Sequence, residues 1–152
     1  MPTTIAFEDE ILKLIFNGTD IPAIADDAAL TPATEFFVAL HTEDPTKSSN
    51  PLQTSAEIAY TAYARQAVPR TEAGWAVENG QVVTEELIEF PEVDGVTGTP
   101  RVATYFSIGS SLSGGGKVYF SGKLTPPITI SNGSEPRIDN QSVASRFEPQ
   151  WA

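Results

Sequence analysis

The chain has 152 residues, 40% of them hydrophobic and 19% charged, with a net charge of −11 and no cysteine. A length near roughly 150 fits one domain burying about two-thirds of its unfolded surface, so neither a disulfide nor a metal is needed as a staple. The missing cysteine excludes disulfides, thiolate nucleophiles, Fe–S clusters and zinc–thiolate sites.

Residues Phe7, Ile11, Leu12, Leu14, Ile15 and Phe16 lie near the positions of one helical stripe. Thr4 suits the N-cap, Glu8, Asp9 and Glu10 suit the first turns, Lys13 follows, and Asn17-Gly18 supplies a left-handed stop. A helix is therefore expected near residues 5–16. Residues 21–34 are rich in Ala, Asp and Pro and read as a loop, with a helical turn around Asp26-Asp27-Ala28.

From Glu35 onward the signals are those of short strands. Glu35 to His41 is a compact apolar run suited to a strand buried on both faces. A polar loop follows from Thr42 to Ser55, with turn signals at Asp44-Pro45 and Asn50-Pro51. Tyr63 to Val68 is a second strand. Trp75 to Thr84 encloses Asn79-Gly80, the strongest short-range hairpin signal, because both turn residues need positive φ. Glu86–Phe90, Val102–Ile108, Lys117–Leu124 and Pro126–Ile130 continue the series, punctuated by Gly114-Gly115-Gly116 and Asn132-Gly133. Twelve prolines exceed the usual ~5% and favour short punctuated strands. The fold class expected is mainly β: an antiparallel β-sandwich, jelly-roll-like, with one N-terminal amphipathic helix. It is read as a single domain over 1–152, with helix and cap at 1–20, the sandwich at 35–130 and a C-terminal tail at 141–152.

Charge and hydropathy exclude several partners. Residues 1–100 hold 17 acids against 4 bases, and residues 101–152 hold 3 against 5. An acidic chain without a basic stripe is a poor nucleic-acid binder. The excess is either ordinary solubility charge or a pair of unlike faces that lets copies pack side by side. No apolar run approaches the roughly 18 residues of a membrane span, and no basic segment precedes an apolar stretch, so no membrane anchor or signal peptide is expected.

Few residues suggest catalysis. His41 is the sole histidine and so the sole base for a catalytic triad, with Asp44 and a serine as partners, but no G-x-S-x-G elbow accompanies it. A structural hydrogen-bonding role is the expectation, and a lone histidine excludes multi-histidine zinc sites. Glu85 and Glu89 would share a strand face as a glycosidase pair, but a solvated strand face alternating with Leu87 is the expectation. Ser113-Gly114-Gly115-Gly116-Lys117 lacks the glycine and hydroxyl of a phosphate loop, since Ser111 and Val118 stand at those positions, and it reads as a flexible turn. No catalytic residue, metal or cofactor is assigned.

Several segments together carry a resemblance: Glu35-Phe36-Phe37-Val38-Ala39-Leu40-His41-Thr42-Glu43-Asp44-Pro45, Tyr63-Ala64-Arg65-Gln66-Ala67-Val68, Ile88-Glu89-Phe90-Pro91, Ala103 to Gly109, and Gly116 to Leu124. Their order and spacing after an N-terminal helix resemble small tailed-bacteriophage virion proteins of tail-fibre-like type, and the jelly-roll cement or decoration proteins of phage heads. The resemblance covers roughly residues 8–133. It implies a non-enzymatic capsid cement protein on the outer surface of the phage head, bound to the major capsid protein and to itself, most simply as a trimer. The alternative it implies is a tail-fibre or host-surface-binding module, whose loops Thr42–Ser55 and Ser110–Gly116 contact a surface glycan. Two departures are the longer loop at residues 21–30 and the tail from Gln141. In that tail Phe147 and Trp151 either anchor a neighbouring subunit or fold back on their own sandwich, and Arg137 and Arg146 are the expected partners for acids across an interface.

Overall fold

The computed structural model describes residues 5–20, 33–47, 51–139 and 145–146. In chain order the elements are helix α1 (Ile5–Asn17), strand β1 (Glu35–His41), a short 3-10 helix at Pro45–Lys47, then β2 (Gln66–Pro69), β3 (Trp75–Glu78), β4 (Gln81–Thr84), β5 (Ile88–Glu89), β6 (Arg101–Gly109), β7 (Val118–Ile130), β8 (Arg137–Ile138) and β9 (Ser145–Arg146). The fold is mainly β, with antiparallel pairing and one helix near the N-terminus. The expected Thr4 cap and the turn at Asp26–Ala28 lie outside the described residues.

The chain divides into two compact units, each gathered from separate stretches: Met1–Glu35, Pro69–Leu87 and Asp139–Ala152 form one, and Phe36–Val68 and Ile88–Ile138 form the other. The division relocates the charge asymmetry. The first unit carries 13 acids against 3 bases and the second 7 against 6, so the net charge is concentrated in the helix-bearing unit rather than in the N-terminal two-thirds of the chain.

In the first unit, α1 packs on the β3–β4 hairpin through Leu12 and Phe16, both fully buried, with Phe16 and Trp75 rings 4.8 Å apart at 57°. Asn79 and Gly80 have φ of 54° and 72°, as a two-residue hairpin turn requires. That turn is fastened to the helix, because the Gly80 N–H donates to the Asp9 carboxylate. A side chain at Gly80 would also stand 2.8 Å from Glu8 Oε2, so glycine answers to space as well as to φ. At its other end α1 has no basic residue in the last turn. Arg70 supplies the missing charge from a distant segment: its guanidinium donates to the carbonyls of Leu14 and Ile15, two acceptors that a helix end leaves unpaired. Gly18 at φ 65° turns the chain, and Thr19 N–H closes on the Lys13 carbonyl at 3.1 Å. Two residues of β9 extend the sheet, Arg146 opposite Gln81 and Ser145 opposite Val82.

The second unit is built on a four-stranded sheet in the order β2-β1-β6-β7. Its two central strands are buried on both faces over Val38–His41 and Phe106–Gly109, as the apolar run of β1 predicts. A second ladder pairs β5 with β8, Ile88 opposite Ile138, and continues irregularly through Phe90 N–H to Pro136 O and Val93 N–H to Ser134 O. Phe90, Val93 and Ile138 are buried, and Phe90 stacks on Tyr63 at 6.1 Å.

The segments expected as separate strands around Pro126 are one strand, β7. Its register against β6 slips between Ala103/Ile128 and Tyr105/Lys123, leaving Leu124–Pro127 as a bulge. β7 is an edge strand, so prolines that cannot donate to a ladder are tolerated there. Near its start, Leu52 lies opposite Lys117 and Val118 N–H reaches the Pro51 carbonyl at 3.5 Å. The opposite edge, β2, has four residues and ends at Pro69. Both edges are thus blunted against strand addition.

Leu12 is 1% exposed whereas Lys13 is exposed on the same turn. Leu12→Ala is expected to destabilise the protein by about 2–5 kcal/mol, and Lys13→Ala by less than ~0.5. Thermal or urea unfolding of the two variants measures the difference, and equal small effects would show that the helix stripe is not a packing face.

Candidate functional site: two loops tied by a buried arginine

Arg65 lies just before β2 and is 4% exposed. An arginine stays charged, so burial demands a partner for each of its five N–H groups. The Glu57 carboxylate takes two of them, from Nε at 2.7 Å and Nη2 at 2.8 Å, and this charged hydrogen bond raises the guanidinium pKa further. Nη1 donates to the Ser111 carbonyl at 2.9 Å and reaches Gln53 Oε1 at 3.4 Å, and Nη2 donates to the Gly114 carbonyl at 2.7 Å. One side chain therefore joins the segment before β2, the 51–58 segment and the β6–β7 loop.

Gln53, fully buried, completes the tie. Its Nε2 donates to the Phe37 carbonyl at 2.8 Å, its Oε1 accepts from Ser111 N–H at 3.2 Å, and its backbone N–H donates to Gly116 O at 2.7 Å. Tyr63 adds a further link. Its hydroxyl accepts from Leu40 N–H at 3.0 Å and donates to Glu57 Oε1 at 3.2 Å, and burial pushes the phenol pKa well up, which keeps it a neutral donor.

The result brings the end of the loop Thr42–Ser55, at residues 51–55, against Ser110–Gly116, the two loops that the fibre alternative implies as contact loops. Outward of the tie, Leu112 is 56% exposed and Tyr119 43% exposed, with Lys117 Nζ 5.7 Å from the Tyr119 ring centre. Ser110, Ser113, Gly114 and Gly115 are exposed beside them. Chemically this is a surface of hydroxyls, backbone amides, one aromatic ring and one ammonium group.

His41 has no exposed surface. Its Nδ1 lies 2.8 Å from the Ser55 carbonyl, which fixes a proton there, and its Nε2 lies 2.8 Å from Ser107 Oγ, which is then the donor. Ser107 is equally buried, so this serine–histidine pair has no opening to a substrate and pins β1, β6 and the Ser55 segment. Asp44, the acid expected beside it, instead accepts from Thr46 N–H at 2.9 Å and Thr46 Oγ1 at 2.7 Å, bonds that lower its pKa. Glu85 and Glu89 are exposed, and only Glu89 lies in a strand, so the glycosidase pairing on one strand face does not form. Among the described residues no group of three or more histidines or acids could hold a metal.

Of the residues proposed for an interface, Arg137 pairs within its own chain, at 2.5 Å to Glu135 and 3.1 Å to Glu89. Arg146 contributes its backbone to β9, and Phe147 and Trp151 lie outside the described residues. The sequence does not single out Glu57, Gln53 and Arg65 as a group. The available signal is an arginine two residues after Tyr63 in an extended run, on the face a core tyrosine occupies.

A family model described as podophage GP4 fiber I protein gp80 matches residues 4–146. Among curated proteins nothing matches the chain.

Burial lowers the His41 pKa below its ordinary 6.5, outweighing the Ser55 carbonyl and the Glu57 charge that act the other way. The unfolded chain therefore binds the proton more readily, and the contribution of His41 to stability is complete above pH ~6.5 and falls away as the pH drops below it. Unfolding curves between pH 7.5 and 5 should show the native protein losing stability more steeply than His41→Gln. Identical slopes would show that the imidazole is not held neutral by the fold.

Proposed function

The chain belongs to the podophage GP4 fibre I protein gp80 family and is a structural protein of a phage virion, and we propose that it serves there as a non-enzymatic fibre component on the tail. The single observation that carries this reading is the family match along residues 4–146, whose description names a fibre. The head-surface cement role implied by the earlier resemblance has no such support, so the tail placement replaces it. In this reading the loop carrying Leu112 and the start of β7 carrying Tyr119 are the contact surface. A saccharide of the host envelope is the partner their chemistry fits: hydroxyls and loop amides meet sugar hydroxyls, and a half-exposed tyrosine meets the apolar face of a sugar ring. Self-association, most simply as a trimer, multiplies such weak contacts into avidity.

Immunogold labelling of intact virions separates the two placements. Gold on the tail is expected, at a few copies per particle. Gold covering the head in hundreds of copies would overturn the fibre reading and restore that of a shell protein. Sedimentation of the purified chain at micromolar concentration is expected to show an oligomer, and a monomer throughout would remove avidity from the account. Tyr119→Ala is expected to lower adsorption to host cells several-fold with the fold unchanged.

A further inference from the structure

We infer that Arg65 and Gln53 are positioning residues for the Ser110–Lys117 loop, holding its contact surface in one conformation before any partner arrives. The inference rests on the contact-surface reading above and adds to it how the surface is made. Composition alone suggests the reverse, because three consecutive glycines read as a flexible turn. One of the three, Gly116, has another reason to be there, as does Gly109 at the end of β6. A Cβ on Gly116 would lie 2.4 Å from Gln53 Oε1 and 2.8 Å from the Ser111 Cβ, and one on Gly109 would lie 2.2 Å from the Gln53 Cδ. Those two positions are glycine because the buried amide occupies the space a side chain needs. Only Gly114, at φ 73° with nothing near it, serves the turn itself.

The backbone of the loop is correspondingly tied. Arg65 takes the Ser111 and Gly114 carbonyls, the Gln53 side chain accepts from the Ser111 N–H, and the Gln53 backbone N–H donates to the Gly116 carbonyl. Within the loop, Gly116 N–H reaches Gly114 O at 2.9 Å, Lys117 N–H reaches Ser110 Oγ at 2.9 Å, and Ser110 N–H reaches Lys117 O at 3.0 Å. A loop held at Ser111, Gly114, Gly116 and Lys117 has less freedom to lose when it binds, and that is the gain from pre-organisation. Neither positioning side chain reaches the surface. Arg65 is 4% exposed and Gln53 not at all, so both act on a partner only through the loop.

The test uses the full chain, labelled with a fluorophore, and intact host cells as the probe. Site-resolved hydrogen exchange is measured on the same samples. Arg65→Lys keeps a charge beside Glu57 but cannot reach two carbonyls and a carboxylate at once. It is expected to speed exchange at Ser111, Gly116 and Lys117 and to weaken cell binding by about tenfold, the equivalent of roughly one hydrogen bond. Exchange in the centre of β1 and β6 should stay as in the native chain, a pattern that a general loss of stability would not give. Gln53→Ala, which leaves the Arg65–Glu57 pair in place, is expected to behave alike and carries the comparison where Arg65→Lys fails to fold. Leu112→Asp, at the exposed tip, tests the surface itself. If it abolishes binding while a loosened loop binds normally, positioning is overturned and the contact surface stands. Binding unchanged by Leu112→Asp overturns the contact surface and the positioning role with it.

Discussion

The second unit depends on one buried guanidinium. An arginine withdrawn from water is tolerable only where its charge and all five donors are met, and here a carboxylate, two loop carbonyls and a buried amide meet them. Breaking such a pair from one side leaves the other charge stranded, at about 3–5 kcal/mol. Segments that share no regular strand pairing with one another are thereby fixed at a common point. Tyr63 extends the same logic to β1. Where β2 runs for only four residues beside the seven of β1, the Leu40 N–H is satisfied by a phenol instead of a strand.

The first unit solves a similar problem with a different arginine. A helix of 13 residues is marginal alone in water, and its stability comes from packing Leu12 and Phe16 and from its ends. Asp9 accepts the Gly80 N–H near one end, and Arg70 donates to two terminal carbonyls at the other. Both partners come from the segment 70–80, so the hairpin does more than cover the helix's apolar stripe. The same segment also meets the helix's C-terminal carbonyls and docks its turn on the Asp9 side chain.

What could be read in the sequence was what short spans decide. Helix α1, the central strand β1 and the Asn79-Gly80 hairpin fall where periodicity, apolar run length and turn chemistry put them, because each is settled within about ten residues. The two-residue strands β8 and β9 carry no pattern of their own and exist only because β5 and β4 lie beside them. The Pro126-Pro127 pair signals a break, but at a sheet edge it becomes a bulge within one strand. The loops at residues 42–55 and 110–116 were visible singly. Their union was not, since it depends on Arg65 reaching residues 46 and 49 positions away. His41 was legible as a structural hydrogen-bonder, but its partner Ser107, 66 residues distant, was not.

The sheet edges narrow the ways in which the second unit can join a larger assembly. Strand addition needs an open row of N–H and C=O groups. β7 offers prolines at 126 and 127 and is met near its start by residues 51–53, and β2 is short and ends in proline. A unit with such edges is poorly suited to association by extending its sheet. That agrees with a well-tied β6–β7 loop carrying Leu112, the most exposed large apolar residue described. Leu112 lies between Ser111 and Gly114, whose carbonyls Arg65 holds, so apolar area there comes without the full ordering cost of a free loop. The blunted edges and the tied loop thus belong to one unit, in which the buried arginine fixes the loop that carries Leu112.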